Sequence, residues 1–434
     1  MRPKAALQAS RMKVLLLPVG SSGDVYPFVG IGLELKRRGH DIVMITSGHF
    51  RKIAEASGFQ FVETSSEDEF LATLNSEILW HPTKAFPYLA KHFILPLVPR
   101  TYEFVREHYT PGKTIAVSGS LAFGARLAQE KLGLPLAVLH LQPSMFRSVY
   151  APPVYSGIGR LPGWMPVPLR AAVFRLLDVF IDRTLAGGLN QARSEIGLPP
   201  VNRILFRWWH SPQLTLGLFP DWFGQPQKDW PPSVRVTGFP LYDVTAGAPP
   251  DGWMPEDIRK PIVFTAGSAM RVGHKFFEQS ARLSEKLGRP GLFVTAFPEQ
   301  LPATLPPRIR HLPYAPFSQL FPRAAAVVHH GGVGTVAQGL RAGVPQLIVP
   351  MSYDQPDNAH RVERLGAGLS ISPARYSSDG DLLLSRLLTE PEWTARCRAV
   401  AERFSGVDAI KESCDLIENT LCRAHGGLQS EARR

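Results

Sequence analysis

The sequence has few cysteines and no long uninterrupted apolar run. Its three cysteines, Cys397, Cys414 and Cys422, cluster near one end of the 434 residues. An odd number in that arrangement forms neither a disulfide framework nor a metal-site spacing, so we expect packing residues or incidental thiols. No stretch approaches the roughly 18–20 apolar residues that a membrane span needs. The first eleven residues also lack the apolar core of a signal peptide, which predicts a cytoplasmic location.

Acidic residues are outnumbered by basic ones. The chain has 37 Asp and Glu against 48 Lys and Arg, which gives a net charge of +11 at pH 7. The basic residues are scattered, with no run of five or six, no zinc-finger spacing and no aromatic-basic RNA-binding signature. We therefore expect no nucleic acid partner. A phosphorylated small molecule or an anionic membrane surface could be the partner that the excess positive charge attracts.

Two apolar stretches with interspersed basic residues, 86–109 and 164–185, could contact such a membrane surface. In the second stretch, apolar residues recur at near-helical spacing between three arginines: Leu169, Val173, Leu176, Leu177 and Phe180 between Arg170, Arg175 and Arg183. This pattern fits peripheral association with the inner face of a membrane. It also fits a core-facing helix beside a substrate cleft, which is the interpretation we favour.

The order of the elements indicates an α/β protein with two halves. An apolar run at 12–19 leads into a glycine loop, a helix over 27–38 and a second run at 41–46, and the same order returns from 261. Such alternation predicts two Rossmann-like, doubly wound domains that face each other across a cleft. We place the first domain at 1–240, a Pro/Gly-rich linker at 241–260 and the second domain at 261–390. The remaining residues, 391–434, are expected to form a helix that crosses back to the first domain, followed by a frayed tail.

The most informative segment is 326–358, AVVHHGGVGTVAQGLRAGVPQLIVPMSYDQPDN. A strand, a glycine turn and a helix start together form an anion site, because free N–H groups and the positive end of the helix dipole point into the turn. His330, at the mouth of the turn, can donate to a phosphate oxygen. Asp354 and Gln355, after the next strand, suit sugar hydroxyls. The combination predicts a nucleotide-sugar site.

Two other functions are compatible with parts of the sequence. Residues 332–337 satisfy the G-x-G-x-x-A dinucleotide fingerprint, and Asp354 lies twenty residues beyond Gly334, as in an NAD(P)-dependent oxidoreductase. Against this, two histidines precede the turn, and Asp354 falls some four residues beyond the apparent end of the second strand. A non-catalytic basic protein that binds membranes is the second alternative. The P-loop motif of nucleotide triphosphatases is absent.

Several segments resemble one enzyme family. HHGGVGT, AGVPQLIVP and DQPDNAHRVERLGAG are similar to the donor-site signature of GT-B glycosyltransferases of family 1, and GSSGDVYPFVGIGLELKRRGHDIVMIT resembles the opening of its bacterial sterol and rhamnolipid branch. YAPFSQLFPRAAAVVHHGG also matches that branch. The resemblance implies a GT-B fold in which the first domain binds the acceptor and the second binds the donor. The middle of the chain, about 60–235, matches only loosely, and there such enzymes bind the acceptor.

The resemblance also implies roles for individual donor-site residues. The donor diphosphate would contact Ser268, His330, Gly332, Gly334 and Thr335; the nucleoside would contact Tyr314 and Gln338; the sugar would contact Asp354 and Gln355. The helix terminus would then stabilise the leaving phosphate without a metal, so neither a metal nor another cofactor is expected. The D-x-D sequence at 379–381 is better explained as a helix cap than as a metal site.

The catalytic base is where the sequence departs from the family pattern. Many members pair a histidine in the first glycine loop with a later aspartate; here those positions hold Asp24 and Gly119. A carboxylate base needs no orienting partner, so Asp24 could itself take the acceptor proton in an inverting reaction. The alternative is that Asp24 only caps the following helix.

The donor and acceptor are defined only by class. Phe317 stands where plant UDP-glucose enzymes usually have glutamine, so both UDP-glucose and dTDP-rhamnose remain candidate donors. The acceptor half is rich in aromatic residues, proline and leucine. It therefore predicts a hydrophobic alcohol as acceptor, with broad tolerance, because apolar pockets discriminate weakly between similar molecules.

Overall fold

A parallel sheet of seven strands forms the centre of the first half. The structure, a computed structural model, describes residues 11–81, 83–243, 260–271 and 273–422. The strands lie in the order β3-β2-β1-β4-β5-β6-β7. Their bounds are β1 Lys13–Leu17, β2 Asp41–Thr46, β3 Gln60–Glu63, β4 Thr114–Gly119, β5 Leu136–His140, β6 Leu214–Gly217 and β7 Val234–Val236. Alternate residues of β1 enter two separate cores, one on each face, which explains why the strand is apolar throughout.

Seven helices accompany this sheet: α1 Ser22–Arg37, α2 Arg51–Ala56, α3 Glu67–Leu74, α4 Ala85–Leu89, α5 Leu95–His108, α6 Phe123–Leu132 and α7 Val167–Glu195. The first helix begins at Ser22, whereas the sequence predicts a start at residue 27. Ser21 and Asp24 form a capping box that starts the helix early, and Pro27 is accommodated inside it.

The second half repeats the design with a six-stranded parallel sheet in the order β10-β9-β8-β11-β12-β13. Its strands are β8 Ile262–Thr265, β9 Gly291–Val294, β10 Ile309–Leu312, β11 Ala326–His329, β12 Gln346–Ile348 and β13 Gly368–Ser370. Its helices are α8 His274–Lys286, α9 Phe317–Leu320, α10 Val333–Ala342, α11 Gln355–Leu365, α12 Tyr376–Thr389, α13 Pro391–Glu402 and α14 Ala409–Ile417. The prediction of two parallel α/β domains is confirmed.

Each sheet has one point at which the strand order reverses. In the first sheet the reversal lies between β1 and β4, and in the second between β8 and β11. Ligands of open α/β sheets bind in the crevice outside the carboxyl ends of the strands at this point. The loops after these four strands are therefore the ones to search for a site.

The single helix expected from residue 391 is two helices in the described part of the chain: α13 packs against α10 in the second half, and α14 returns to the first half. Arg38, at the end of α1, donates to Asp415 and Glu418 at 2.6 Å each, and His40 lies 2.8 Å from Glu418. Cys414 is buried in the core beneath α1. Most of the predicted linker, 244–259, and the predicted tail, 423–434, lie outside the described residues.

The outer face of α7 differs from the interpretation favoured above. Leu169, Leu176 and Phe180 expose 47%, 71% and 55% of their surface, whereas Val173 and Leu177 are half-buried. The predicted stripe therefore lies on the outer side of the helix and does not enter the core, contrary to the interpretation we favoured. A different stripe, which includes Phe174 and Leu185, packs inward. No helix in the described part of the chain is long and apolar enough to cross a membrane.

Candidate active site

The two loops at the reversal point of the second sheet bring Ser268 and His330 to one place. Gly267 follows β8 with a positive φ of 87°, which a residue with a side chain rarely adopts, and Ser268 is exposed beside it. A Cβ on Gly267 would lie 2.5 Å from Cε1 of His330. A Cβ on Gly332 would also meet this ring, so the imidazole fits only because both neighbours are glycine.

The two histidines at the end of β11 have different tasks. His329 is fully buried; the N–H of Gly331 donates to its Nδ1 at 3.1 Å, and its Nε2 lies 2.9 Å from Oε1 of Gln346. His329 therefore holds the turn in place. His330 has a buried Nδ1 that meets no partner within the described residues. Burial lowers the pKa of His330 to about 4, so at neutral pH it offers one N–H to a ligand.

The start of α10 is open toward the same space. Gly332 is its N-cap residue and supplies no side-chain cap, so the N–H groups of the first turn are free to bind an anion. A Cβ on Gly334 would meet no atom within 4 Å, which leaves room above the helix start. Thr335 is buried at the base of the turn.

Asp354 is connected to the glycine turn through Asn358. The amide nitrogen of Asn358 donates to Oδ2 of Asp354 at 2.6 Å and to the carbonyl of Gly331 at 3.0 Å. The pKa of Asp354 is raised to about 7, chiefly by burial, with a smaller contribution from the nearby charge of Asp24. Oε1 of Gln355 accepts from the N–H groups of Met351 and Ser352, so only its amide nitrogen is left for a sugar.

The predicted nucleoside residues meet a carboxylate that the sequence did not reveal. Gln338 donates through Nε2 to Asp243 at 3.1 Å, and the N–H of Ser318 donates to the other carboxylate oxygen at 3.1 Å. Burial is the main reason why the pKa of Tyr314 is raised to about 12, and the charge of the nearby Asp243 contributes to the same shift. Tyr314 is 41% exposed, so its ring is available to a base. Asp243 is 95 residues from Gln338 in the sequence, and no local motif marks it.

Asp24 lies at the reversal point of the first sheet and makes the cap contacts. Its Oδ2 accepts from the N–H of Ser21 at 2.8 Å and from the Ser21 hydroxyl at 3.1 Å. Burial raises its pKa above the ordinary aspartate value. Gly119, the other position of the family pair, ends β4 next to β1, with its missing Cβ directed at backbone atoms of Leu17 and Val19.

Contacts between the halves hold α11 against the first half. Asp357 accepts from the N–H of Val154 at 2.9 Å and from Arg361 at 2.7 Å. The Tyr353 hydroxyl donates to the carbonyl of Leu79 at 2.6 Å, and Tyr353 has a positive φ of 57°. Such strain in a non-glycine residue persists only where its surroundings fix it. The strained residue immediately precedes Asp354 and so helps to position that carboxylate.

The described residues contain no cluster of three or more His, Cys, Asp or Glu that could hold a metal. The helix-cap interpretation of the D-x-D aspartates is wrong, because Arg375 is the N-cap of α12 and both aspartates lie inside that helix, where they make ion pairs. Asp379 accepts from Arg375 at 2.7 Å in the first turn of α12, and Asp381 pairs with Lys286 at 2.5 Å. Each carboxylate is thus neutralised by its own cation.

Comparison with known families places both halves. The model for the glycosyltransferase family 28 N-terminal domain matches residues 14–150. The model for the erythromycin biosynthesis protein CIII-like C-terminal domain matches residues 293–408. The chain is 28% identical to O-mycaminosyltylonolide 6-deoxyallosyltransferase of Streptomyces fradiae, over 94% of this chain and 97% of that one. It is 26% identical to a sterol 3-beta-glucosyltransferase of Arabidopsis thaliana, over 95% of this chain and 68% of the relative.

Solved structures share the fold over nearly the whole length. The glycosyltransferase of kitacinnamycin superposes with a TM-score of 0.69 at 18% identity, covering 95% of this chain and 99% of that one. The glycosyltransferase VinC, in complex with dTDP, gives 0.67 at 19% identity, covering 94% and 100%. With both halves matched and the fold shared, the chain is a GT-B glycosyltransferase of family 1.

Proposed function

We propose that this enzyme moves a hexose from a UDP- or dTDP-linked donor to a hydroxyl of a hydrophobic acceptor, with inversion at the anomeric carbon. The observation that carries the proposal is that the loops at the reversal point of the first sheet lie next to those at the reversal point of the second sheet. Val333, the first residue of α10, packs against the core of the first half that contains β1 and α1. Asp24, from the first half, accordingly lies near enough to Asp354, from the second, for its charge to contribute to the raised pKa of Asp354. The same arrangement does not suit a dinucleotide, because β12 ends at Ile348 and Asp354 instead begins α11.

The residues divide the reaction between them. Asp24 takes the proton of the acceptor hydroxyl while that oxygen forms a bond to the anomeric carbon. The bond from the anomeric carbon to the β-phosphate oxygen breaks, and the electron pair stays on the phosphate. The N–H groups at the start of α10 and the N–H of His330 stabilise that charge. Ser268 and Thr335 supply further donors, and Asp354 with Gln355 holds the sugar hydroxyls.

The nucleoside fits the pair of side chains beside the linker. Tyr314 stacks on the pyrimidine, and the carboxylate of Asp243 binds the ribose hydroxyls while Gln338 holds it in place. Plant members of the family carry a glutamate at the position of Gln338. In this chain the negative charge would come instead from Asp243, which belongs to a different segment. The dTDP in the VinC complex and the deoxyhexosyl transfer named for the Streptomyces relative favour testing dTDP-sugars beside UDP-sugars.

The experiment that tests this function is a panel of UDP- and dTDP-sugars with a pool of hydrophobic alcohols, read by mass spectrometry. We expect a mass increase of one hexose or deoxyhexose on at least one alcohol, with release of nucleoside diphosphate. Nucleoside diphosphates should also raise the melting temperature, by mass action on the folded state. Stabilisation by NADH in place of UDP and dTDP would contradict the proposed donor.

The exposed face of α7 supports a second component, peripheral association with an anionic membrane. Leu176 and Phe180 lie on this face beside Arg175 and Arg183, which make no ion pair within the described residues. The two aspartates in this stretch of the helix are engaged in other contacts: Asp178 pairs with Arg147 at 2.5 Å and with Arg203 at 3.0 Å. Asp182 accepts from backbone N–H groups. The face is thus apolar and basic without a carboxylate, which complements an anionic lipid surface.

A further inference from the structure

A chain of hydrogen bonds runs through the core of the first half and ends at Ser120. The indole N–H of Trp209 donates to Nε2 of His210 at 3.1 Å. Nδ1 of His210 lies 3.0 Å from Nε2 of His140, and Nδ1 of His140 lies 2.7 Å from the Ser120 hydroxyl. Both histidines and Trp209 are buried, whereas Ser120 is half-buried.

The direction of this chain is fixed by its first member. An indole N–H can only donate, so Nε2 of His210 must accept and its Nδ1 must carry the hydrogen. Nε2 of His140 then accepts, and its Nδ1–H donates to Ser120. Burial lowers the pKa of His210 to about 3 and also lowers that of His140, so both rings stay neutral and the direction holds at physiological pH. The Ser120 oxygen is therefore an acceptor toward the protein, and its O–H is left to donate elsewhere.

That O–H has only a weak internal partner. The carbonyl of Leu139 is 3.4 Å away, at the outer limit of a hydrogen bond. Ser120 directly follows β4, and Asp24 follows β1, the two strands between which the first sheet reverses its order. This weakly bonded donor thus belongs to the crevice in which the proposed base lies.

We infer that Ser120 is a specificity-determining residue that donates a hydrogen bond to an oxygen of the acceptor next to the reacting hydroxyl. The inference rests on the proposed function and narrows its acceptor class. The preferred acceptor is a hydrophobic alcohol with a neighbouring ether, carbonyl or hydroxyl oxygen. Such an oxygen can accept the hydrogen bond from the Ser120 hydroxyl, whose own oxygen already accepts from His140. A half-buried donor that is covered by the acceptor and left without an oxygen disfavours the purely apolar analogue.

A matched pair of probes tests this directly. One is an alkyl phenol with an adjacent methoxy group, and the other carries an ethyl group there, which has the same shape without the oxygen. Wild-type enzyme should favour the methoxy compound in kcat/KM, mainly through KM. Ser120→Ala should lose about 3- to 10-fold on the methoxy compound and change little on the ethyl compound. Affinity for dTDP and UDP should be unchanged, because the donor site lies in the other half.

A second variant checks the direction of the chain. Trp209→Phe keeps an aromatic ring but removes the N–H that fixes the order of donors, so the preference for the methoxy compound should shrink in a protein that still binds nucleotide. An equal loss on both probes in Ser120→Ala, or an unchanged preference, would overturn the inference while leaving the transferase function intact. Failure of the wild-type enzyme to glycosylate either phenol would instead refute the proposed acceptor class and the inference with it.

Discussion

At the scale of single residues, Asp24 combines two tasks in one carboxylate. It accepts from Ser21 at the start of α1 and is also the proposed base. Asp24→Asn keeps an oxygen for the cap but removes the basicity. We expect the melting temperature and the nucleotide affinity to stay near wild type, while transfer falls by about 10²–10⁴-fold in single-turnover kinetics.

Ser21→Ala is the matched control for this prediction. It removes the capping hydroxyl and should cost about 1 kcal/mol of unfolding free energy, with transfer largely retained. If Asp24→Asn turned over within a few-fold of wild type, the cap would be the sole function of Asp24.

His330 gives a second prediction at this scale. His330→Phe keeps a flat ring between Gly267 and Gly332 but removes the N–H donor. Because hydrogen bonds to charged groups contribute about 1.5–3 kcal/mol, binding of dTDP or UDP in calorimetry should weaken at least about tenfold. His311, which contacts the backbone of Thr295, provides the control: His311→Phe should leave nucleotide affinity unchanged. An unaltered affinity in His330→Phe would contradict the diphosphate role.

The sequence alone indicated which residue types surround the donor but not how they are held. His330 was marked by its place before the glycine turn. Asn358 and Asp243 were missed for physical reasons: Asn358 acts on Asp354 and Gly331 from one turn further along α11, and Asp243 reaches Gln338 only through the fold. The roles of the predicted site residues remain predictions.

At the scale of the element, a substitution at the start of α10 should raise the stability of the fold and weaken nucleotide binding at the same time. Gly334→Ala replaces a helical glycine in open space, so the free energy of unfolding should rise by up to about 1 kcal/mol. The added methyl stands where a diphosphate would approach, so nucleotide affinity should fall in the same variant. Gly187→Ala in α7 is the control, since its Cβ also meets nothing. It should stabilise without affecting nucleotide binding. Unchanged affinity in Gly334→Ala would place the diphosphate elsewhere.

The face of α7 provides a second prediction at this scale. Vesicles that contain phosphatidylglycerol should sediment the wild-type protein, whereas pure phosphatidylcholine should not. Leu176→Glu with Phe180→Glu should abolish sedimentation, and Arg175→Gln with Arg183→Gln should weaken it, at about 1 kcal/mol per lost charge. Leu382→Glu is the control, because Leu382 is 63% exposed on α12 of the other half. Equal binding by all variants would exclude this face.

The same helix shows where sequence patterns reach their limit. Its apolar residues form two stripes, and spacing alone could not decide which one the core would take. The strands were easier, because in a parallel sheet that is covered on both faces the whole strand must be apolar, as β1 and β8 are. Both sheets were therefore predicted correctly, while the start of α1 and the orientation of α7 depended on contacts distant in sequence.

At the scale of the whole molecule, stability should fall on acidification below about pH 6.5. Burial lowers the pKa of His329 to about 3 and of His330 to about 4, and it also lowers the pKa values of His140 and His210. Below pH 6.5 these four imidazoles become protonated in the unfolded chain but stay neutral in the folded chain. The free energy of unfolding therefore decreases as pH falls from 6.5 toward 4.

Asp354 opposes this trend, because its raised pKa makes the folded state bind a proton between about pH 4 and 7. The pKa of His360 is lowered as well, and those of Asp24 and Glu412 are raised with that of Asp354. With five histidines against three carboxylates, the histidines decide the sign. Melting temperatures should stay nearly level from pH 7.5 to 6.5 and decrease from pH 6.5 to 5. A flat or rising curve would show that these rings accept protons in the folded state.

The return of α14 to α1 sets the order in which this molecule can be completed. Cys414, Ile417 and Leu421 fill part of the core of the first half, yet they are synthesised after all of the second sheet. The half that leaves the ribosome first therefore keeps an open apolar groove beside α1 throughout translation of the other half. Domains generally fold in the order in which they emerge. Here we expect the half that emerges first to be finished last, because its core is complete only when α14 has been synthesised.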